Sequence, residues 1–260
     1  MDRLALGRIL QFGDSMLPTG AFAFSSGLEA AVQTRAVHDV ETLRQFVQSA
    51  VEQAASGDAV GVAWAVRAAR RTGTDSDAWA SLCAVDAALF ARKAPEEFRA
   101  MLTRTGAKLA ELGAALSASP LAARWLELIR AGAAPGTYPV TLAVLFTAMC
   151  GTPAAPADVA DAVQRVSSEG DVRAEDDPLV RDALIVHLYG VMTGILNAAL
   201  RLMRLSHVEA QSVLYRLAGR LEELASSAAA APLEGMSAYA PMTDILSAIH
   251  ARAHVRLFMG

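Results

Sequence analysis

The sequence predicts an all-α fold, a single-domain bundle of about ten helices. Alanine is abundant, and the alternation of β-branched and aromatic residues that is typical of strands is nearly absent. Clusters of Gly, Pro and Ser divide the chain into helix-length segments. Because the 260 residues show no internal repeat or sharp change of composition, we expect one domain over 1–260. Its N-terminal segment 1–21 and C-terminal tail 254–260 are the candidates for flexibility.

The predicted helices follow one another with short connections. In chain order they cover about residues 3–12, 22–36, 39–71, 75–91, 95–116, 121–131, 138–150, 156–168, 178–205, 207–226 and 241–253. Gly13, Pro18 and Gly20 separate the first two, because glycine and proline break helices. Asp39 begins the third, which has one apolar face and an expected bend near Gly57.

Proline and acidic residues mark two of the later helix starts. Pro95 is followed by two glutamates, which suits a helix N-terminus through the fixed φ of proline and the helix dipole. The segment 167–178 is the one long polar loop, and Pro178 restarts the helix after it. The last helix precedes the tail VRLFMG, which either folds back on its own domain or becomes ordered on a partner.

Residues 183–200 carry no formal charge and reach the length of a membrane span. Four polar side chains argue against that interpretation: His187, Tyr189, Thr193 and Asn197. They would lie in lipid without evident partners, whereas the centre of a bundle or a subunit interface tolerates them. We therefore expect a buried helix and no membrane contact.

Charge and cysteine content restrict the class of protein further. There are 23 basic and 27 acidic side chains, with no long run of one sign, so electrostatic capture of nucleic acid is not expected. Cys83 and Cys150 are far apart and match no C-x-x-C or metal spacing, which indicates buried thiols in a reducing compartment. The charged N-terminus contains no signal peptide, so we expect a cytoplasmic protein.

The stretch FGDSMLPTG resembles the nucleophile motif of a GDSL hydrolase, with Ser15 as the nucleophile. Such an enzyme mounts its serine after a strand and takes its base from a histidine three residues after an aspartate. None of the five histidines has that aspartate, and the chain predicts no strand. Asp14 and Ser15 are better explained as loop residues that bond to local backbone groups.

Two groups of residues raise the question of a metal. Asp176 and Asp177, with Glu175, could bind magnesium, but helix-start carboxylates before Pro178 explain the run as well. His250 and His254 share one helix face, yet two ligands are not a site. We expect no metal, no cofactor and no catalytic residue, and the chain also lacks a P-loop.

Several stretches, in order along nearly the whole chain, carry a family pattern. The N-terminal stretch contains Leu10, Gln11, Leu17, Pro18, Gly20, Phe22, Ser25, Gly27, Leu28 and Glu29. The central stretches contain Arg104, Gly106, Leu109, Tyr138, Pro139 and Val140, and the C-terminal stretch contains Pro241, Asp244, His250, Arg256, Leu257 and Phe258. Together they resemble the UreF family of urease accessory proteins. The chain departs from the family pattern over 204–211, where it lacks the proline, the first glutamine and the glycine.

The resemblance implies an all-α, dimeric, cytoplasmic adaptor without an active site. It would bridge the scaffold protein UreD, also called UreH, and the GTPase UreG in the complex that delivers nickel to apo-urease. In the family the tail becomes ordered when the scaffold binds, and by position Arg256 and Phe22 belong to the surface that recruits the GTPase. The partner-binding residues implied are Pro18, Gly20, Phe22, Ser25, Gly27, Glu29, His250, Arg256, Leu257 and Phe258.

Two alternatives stay open from the residues. The first is an all-α enzyme that acts on an apolar small molecule through a metal at Asp176 and Asp177. The second is a helical interaction protein derived from the same family that no longer serves urease, which the altered stretch 204–211 motivates.

Overall fold

The protein was analysed as a computed structural model that describes residues 3–14, 16–73, 75, 77–150, 177–237, 241–253 and 256–259. These residues form helices, turns and irregular segments, and no strand among them. The predicted all-α fold is therefore confirmed. Several residues and one helix that the sequence analysis discussed lie outside the described residues: Ser15, the helix predicted at 156–168, Glu175, Asp176 and His254.

The described residues form α-helices joined by short connections. In chain order these are α1 (Arg3–Gly13), α2 (Leu28–Gln33), α3 (Val40–Ser56), α4 (Asp58–Arg71), α5 (Ala78–Ala91), α6 (Glu96–Ser117), α7 (Pro120–Arg130), α8 (Tyr138–Cys150), α9 (Pro178–Leu202), α10 (His207–Ala218), α11 (Leu221–Ala230) and α12 (Pro241–Ala251). Two single 3₁₀ turns, Ala21–Ala23 and Leu233–Gly235, complete the set.

The helix predicted over 22–36 is wrong in its first half. Gly20 and Gly27 both have a φ of 82°, a left-handed conformation that glycine adopts without strain. Between them the chain forms only the 3₁₀ turn Ala21–Ala23 before it becomes extended at Phe24. As a result α2 begins at Leu28, and Phe22 lies on a tight turn instead of a helix.

The helix predicted over 39–71 is two helices that meet at Gly57. This residue has φ −117° and ψ −94°, which no helix contains. A Cβ atom added there would lie 2.8 Å from the carbonyl oxygen of Ser237. The backbone at Ser237 therefore approaches position 57 so closely that only glycine fits there. The expected bend is thus a full break between α3 and α4.

Side-chain caps explain several helix starts. Asp39 accepts a hydrogen bond from the backbone N–H of Thr42 at 2.8 Å and begins α3, as predicted. Asp177 accepts from the N–H of Leu179 at 3.0 Å and begins α9. In the altered stretch 204–211, Ser206 and Glu209 form a reciprocal capping box at the start of α10. The stretch that departs from the family pattern therefore contains an ordinary capped helix start.

Helix α9 is the centre of the bundle. It contacts α2, α3, α4, α8, α10 and α11, and it buries residues such as Leu184, Leu188 and Met192 completely. Among the described helices it alone is long and apolar enough to cross a membrane by length and composition. Half of its most apolar stretch is buried inside the protein, in agreement with the predicted core helix.

Asp86 on α5 fixes the connection between α7 and α8. Its carboxylate is fully buried and accepts the backbone N–H of Gly136 at 2.6 Å and of Thr137 at 3.0 Å, as well as the hydroxyl of Thr137. Burial raises the pKa of Asp86, although these hydrogen bonds act in the opposite direction. Gly106 of α6 lies against the same connection, where a Cβ atom would overlap the carbonyl oxygen of Gly136. The connection is thus held from two sides.

Candidate partner-binding surface at the two chain ends

Residues from both ends of the sequence meet on one side of the bundle. The 3₁₀ turn Ala21–Ala23 and α2 come from the N-terminal end, whereas α12 and the tail residues 256–259 come from the C-terminal end. The start of α6 supplies a third element through Glu97. We call this assembly the end-to-end site.

Glu29 of α2 holds the tail by its backbone. Its side chain is almost fully buried, and it accepts the N–H of Leu257 at 2.7 Å and the N–H of Phe258 at 3.0 Å. Burial acts to raise the pKa of Glu29, but the hydrogen bonds from Leu257, His250 and Phe258 outweigh it and lower the pKa. Glu29 is therefore an ionised anchor for a chain end.

His250 of α12 lies between two carboxylates. It is fully buried, with Nε2 3.0 Å from Oε2 of Glu29 and Nδ1 3.1 Å from Oε2 of Glu97. Each ring nitrogen of His250 thus lies within hydrogen-bond distance of a carboxylate oxygen from a different helix. The buried His250 side chain therefore ties α2, α6 and α12 together.

The tail places one charged and two apolar side chains at the surface. Arg256 is half exposed and lies 3.4 Å from Oε1 of Glu97. Leu257 and Met259 are 56% and 54% exposed, whereas Phe258 between them is 4% exposed and packs on the bundle. The alternation gives the tail an inner side that attaches it and an outer side that is free to contact a partner.

Arg201 at the end of α9 connects the tail to the N-terminal turn. Its guanidinium lies over the ring of Phe258, 4.3 Å from the ring centre, and donates to the carbonyl oxygen of Phe22 at 2.9 Å. The N–H of Met259 also donates to the carbonyl oxygen of Ala23 at 2.7 Å. The turn that carries Phe22, which is 74% exposed, is therefore fixed by contacts to the tail and to α9.

The structure brings together most of the residues that the sequence selected, but some of them are buried and others are exposed. Ser25, Gly27, Glu29, His250 and Phe258 are buried and support the surface from within. Pro18, Phe22, Arg256 and Leu257 are exposed, and Gly20 is partly buried just before the 3₁₀ turn Ala21–Ala23. Glu97 and Arg201 were missed, because an isolated charged residue in a helix carries no signal of a partner far away in the sequence.

The residues that raised the question of a metal have structural partners where they are described. Asp177 pairs with Arg70 at 2.5 Å besides capping α9. His250 is fully engaged with Glu29 and Glu97. Over the described ranges, no three His, Cys, Asp or Glu side chains are grouped so that they could hold a metal ion. Asp177 thus has a structural explanation without a metal.

Comparison with known proteins gives one consistent result. A family model named UreF matches residues 37–162 and 179–218. The chain is 42% identical over 258 residues to the urease accessory protein UreF of Yersinia pestis (strain Pestoides F), with 99% of each chain covered. It is also 42% identical to the protein of that name in Yersinia pseudotuberculosis serotype I (strain IP32953) and 40% identical to that of Photorhabdus laumondii, again with 99% of each chain covered.

Proposed function

The chain belongs to the UreF family of urease accessory proteins, and from this premise we propose that it is a non-catalytic adaptor in urease maturation. It bridges the scaffold protein UreD, or UreH, and the GTPase UreG in the complex that delivers nickel to apo-urease. It acts as a homodimer in the cytoplasm. Nickel is the cargo of this complex and not a resident cofactor of the chain.

The observation that carries the proposal is the end-to-end site. Exposed Phe22, Arg256, Leu257 and Met259 lie on segments that are fixed by buried hydrogen bonds and by Arg201. Aromatic residues and arginine are the types that contribute most to protein–protein binding when they sit on a rigid support. Such a preorganised surface suits recognition of another protein, because little freedom is lost on binding.

The two halves of the site suit two partners. The tail is short and its outer side is apolar, so a scaffold protein that covers Leu257 and Met259 stabilises the tail in its docked position. The docked tail in turn fixes the Phe22 turn through Arg201 and the Met259 N–H. In this order of events the scaffold binds first, and Phe22 and Arg256 then recruit the GTPase.

The experiment is a co-purification of the tagged chain with its cognate UreD and UreG, followed by size-exclusion chromatography with light scattering. We expect a stable complex that contains two copies of this chain. Phe22→Ala and Arg256→Ala should each weaken recruitment of the GTPase and leave the helical circular dichroism spectrum unchanged.

Two matched substitutions act as controls. Tyr215→Ala removes an aromatic side chain from α10 that is even more exposed than Phe22, and Arg124→Ala removes an exposed arginine that pairs with one glutamate. Both should leave the complex intact. A chain that stays a monomer or dimer in the presence of both partners would contradict the adaptor role and favour an interaction protein that no longer serves urease.

A further inference from the structure

A cavity of about 230 Å³ lies beside the end-to-end site, between the loop after α1 and helices α4, α6, α8 and α9. Exposed Phe22, Gly194 and Asn197 line its mouth, and buried Thr105 and His187 line its inner end. We call this cavity the His187 pocket. Its volume corresponds to about eight water molecules, so it has room for a small organic molecule.

His187 of α9 is the unusual residue in this pocket. Its side chain is only 4% exposed, and neither ring nitrogen has a hydrogen-bond partner in the described part of the chain. Buried polar atoms in native proteins are nearly always hydrogen-bonded, and an unpaired one lowers the stability of the fold. An unpartnered imidazole that faces an open cavity therefore indicates a ligand that supplies the missing hydrogen bonds.

The ring of His187 is uncharged at neutral pH. Burial lowers the pKa of His187 to about 4, with Lys93 acting in the same direction and Asp58 against it. A neutral imidazole offers one donor and one acceptor. Tyr138 also lines the pocket, and burial raises the pKa of its hydroxyl to about 12, so this group is neutral as well.

The charged side chains that line the pocket are already engaged. Asp58 pairs with Lys93 at 2.6 Å, and Arg201 contacts Phe258 and the Phe22 carbonyl at the mouth. Asp14 is exposed and accepts the N–H of Met16. The remaining walls are largely apolar and include Leu17, Phe24, Leu102 and Val191. An ionic ligand would lose its hydration at the inner end without gaining a free counter-charge.

We propose that the His187 pocket binds a small uncharged molecule with an apolar body and one group that both donates and accepts hydrogen bonds, such as a hydroxyl. The apolar body lies against the side chains of Leu102 and Val191. The hydroxyl bonds to His187, and Tyr138, which lines the same pocket, supplies a second polar group. The pocket shares Phe22 and Arg201 with the end-to-end site. His187 and Tyr138, which carry this proposal, are not among the partner-binding residues, so the test below does not depend on the adaptor role.

The test uses phenol as the probe and toluene as its analogue without the hydroxyl. The full-length protein is labelled with ¹³C-histidine, and the ring resonances are followed at pH 7 during titration with each compound. The chain has five histidines, so the other four report any non-specific effect. The His187 resonance is assigned from the spectrum of a His187→Leu variant.

The proposal predicts a saturable shift of the His187 resonance by phenol, with an affinity about tenfold above that of toluene, as expected for one net hydrogen bond. Tyr138→Phe, which removes one oxygen atom, should weaken phenol binding several-fold and leave toluene binding unchanged. This variant keeps the test valid if His187→Leu fails to fold. Three results would each overturn the proposal and indicate a pocket that holds water only. They are equal affinities for the two probes, the absence of a saturable shift, and phenol binding measured by calorimetry that does not change in His187→Leu.

Discussion

Two buried carboxylates, Asp86 and Glu29, perform the same local task in different parts of the molecule. Asp86 accepts the N–H groups of consecutive residues Gly136 and Thr137, and Glu29 accepts those of consecutive residues Leu257 and Phe258. In both cases a side chain replaces the backbone partner that an irregular segment cannot find for itself. The first segment is an internal connection, whereas the second is a chain end.

The surroundings of the two carboxylates have opposite electrostatic effects. The hydrogen-bond partners of Asp86 are all uncharged, and its burial raises the pKa. The pKa of Glu29 is lowered, because the hydrogen bonds from Leu257, His250 and Phe258 outweigh its burial. We infer that Asp86 serves the fold, because α7 and α8 cannot pack without it. We infer that Glu29 serves a surface, so the tail should be able to detach while the bundle stays folded.

The largest effect is expected for Asp86→Ala. The change leaves two buried N–H groups without an acceptor, so the free energy of unfolding should fall by about 3–5 kcal/mol. Urea denaturation followed by circular dichroism measures this loss. The control is Asp182→Ala, a half-buried aspartate on α9, with an expected change within about 1 kcal/mol. A loss below that of the control would show that Asp86 does not hold the connection.

A smaller and more local effect is expected for Glu29→Gln. The variant keeps the shape of the side chain but puts an NH₂ group next to donors, so the tail should detach while the free energy of unfolding falls by about 1–2 kcal/mol. Hydrogen exchange at the Leu257 and Phe258 amides should accelerate, and exchange at Gly136 and Thr137 should not change. A loss of stability as large as that of Asp86→Ala would mean that the tail belongs to the core, which would contradict the surface role.

Arg201→Lys should have a weaker effect on the same tail. Lysine keeps the charge but loses the planar guanidinium that lies over Phe258, a contact worth about 1 kcal/mol at an exposed site. Exchange at the Phe258 amide should rise several-fold, less than in Glu29→Gln. Arg204→Lys, three residues further along and exposed, is the matched control and should change nothing. Equal effects of the two lysine variants would remove Arg201 from the connection between the tail and the Phe22 turn.

The sequence predicted the helices better than the site because helices depend on local signals. Asp39 and Pro178 begin α3 and α9 by rules that need only their neighbours. The contact between Glu29 and the tail joins residues more than two hundred positions apart, and no local pattern encodes it. Only the family resemblance placed Glu29, His250 and Phe258 in one set.

The sequence did not predict which residues of the site are exposed to solvent and which are buried. Phe22 and Phe258 are the same residue type in the same predicted role, yet one is 74% exposed and the other 4% exposed. The difference arises because Gly20 turns the chain before Phe22, whereas Arg201 and α9 cover Phe258. Asp86 was not selected at all, since an aspartate in an apolar helix looks the same whether it faces solvent or a buried connection.

The smallest effect is a difference in pH dependence between the two carboxylates. Glu29 has a lowered pKa in the folded protein, so its stabilising contribution is present above the unfolded value of 4.5 and is lost as the pH falls through the folded value. Asp86 has a raised pKa, so its contribution is largest at low pH and declines as the pH rises from the unfolded value of 3.8 through the folded value. Carboxyl ¹³C shifts measured between pH 2 and 7 should place the midpoint of Glu29 below 4.5 and that of Asp86 above 3.8. A Glu29 midpoint above that of Asp86 would reverse the comparison, because the hydrogen bonds from Leu257, His250 and Phe258 would then not outweigh the burial of Glu29.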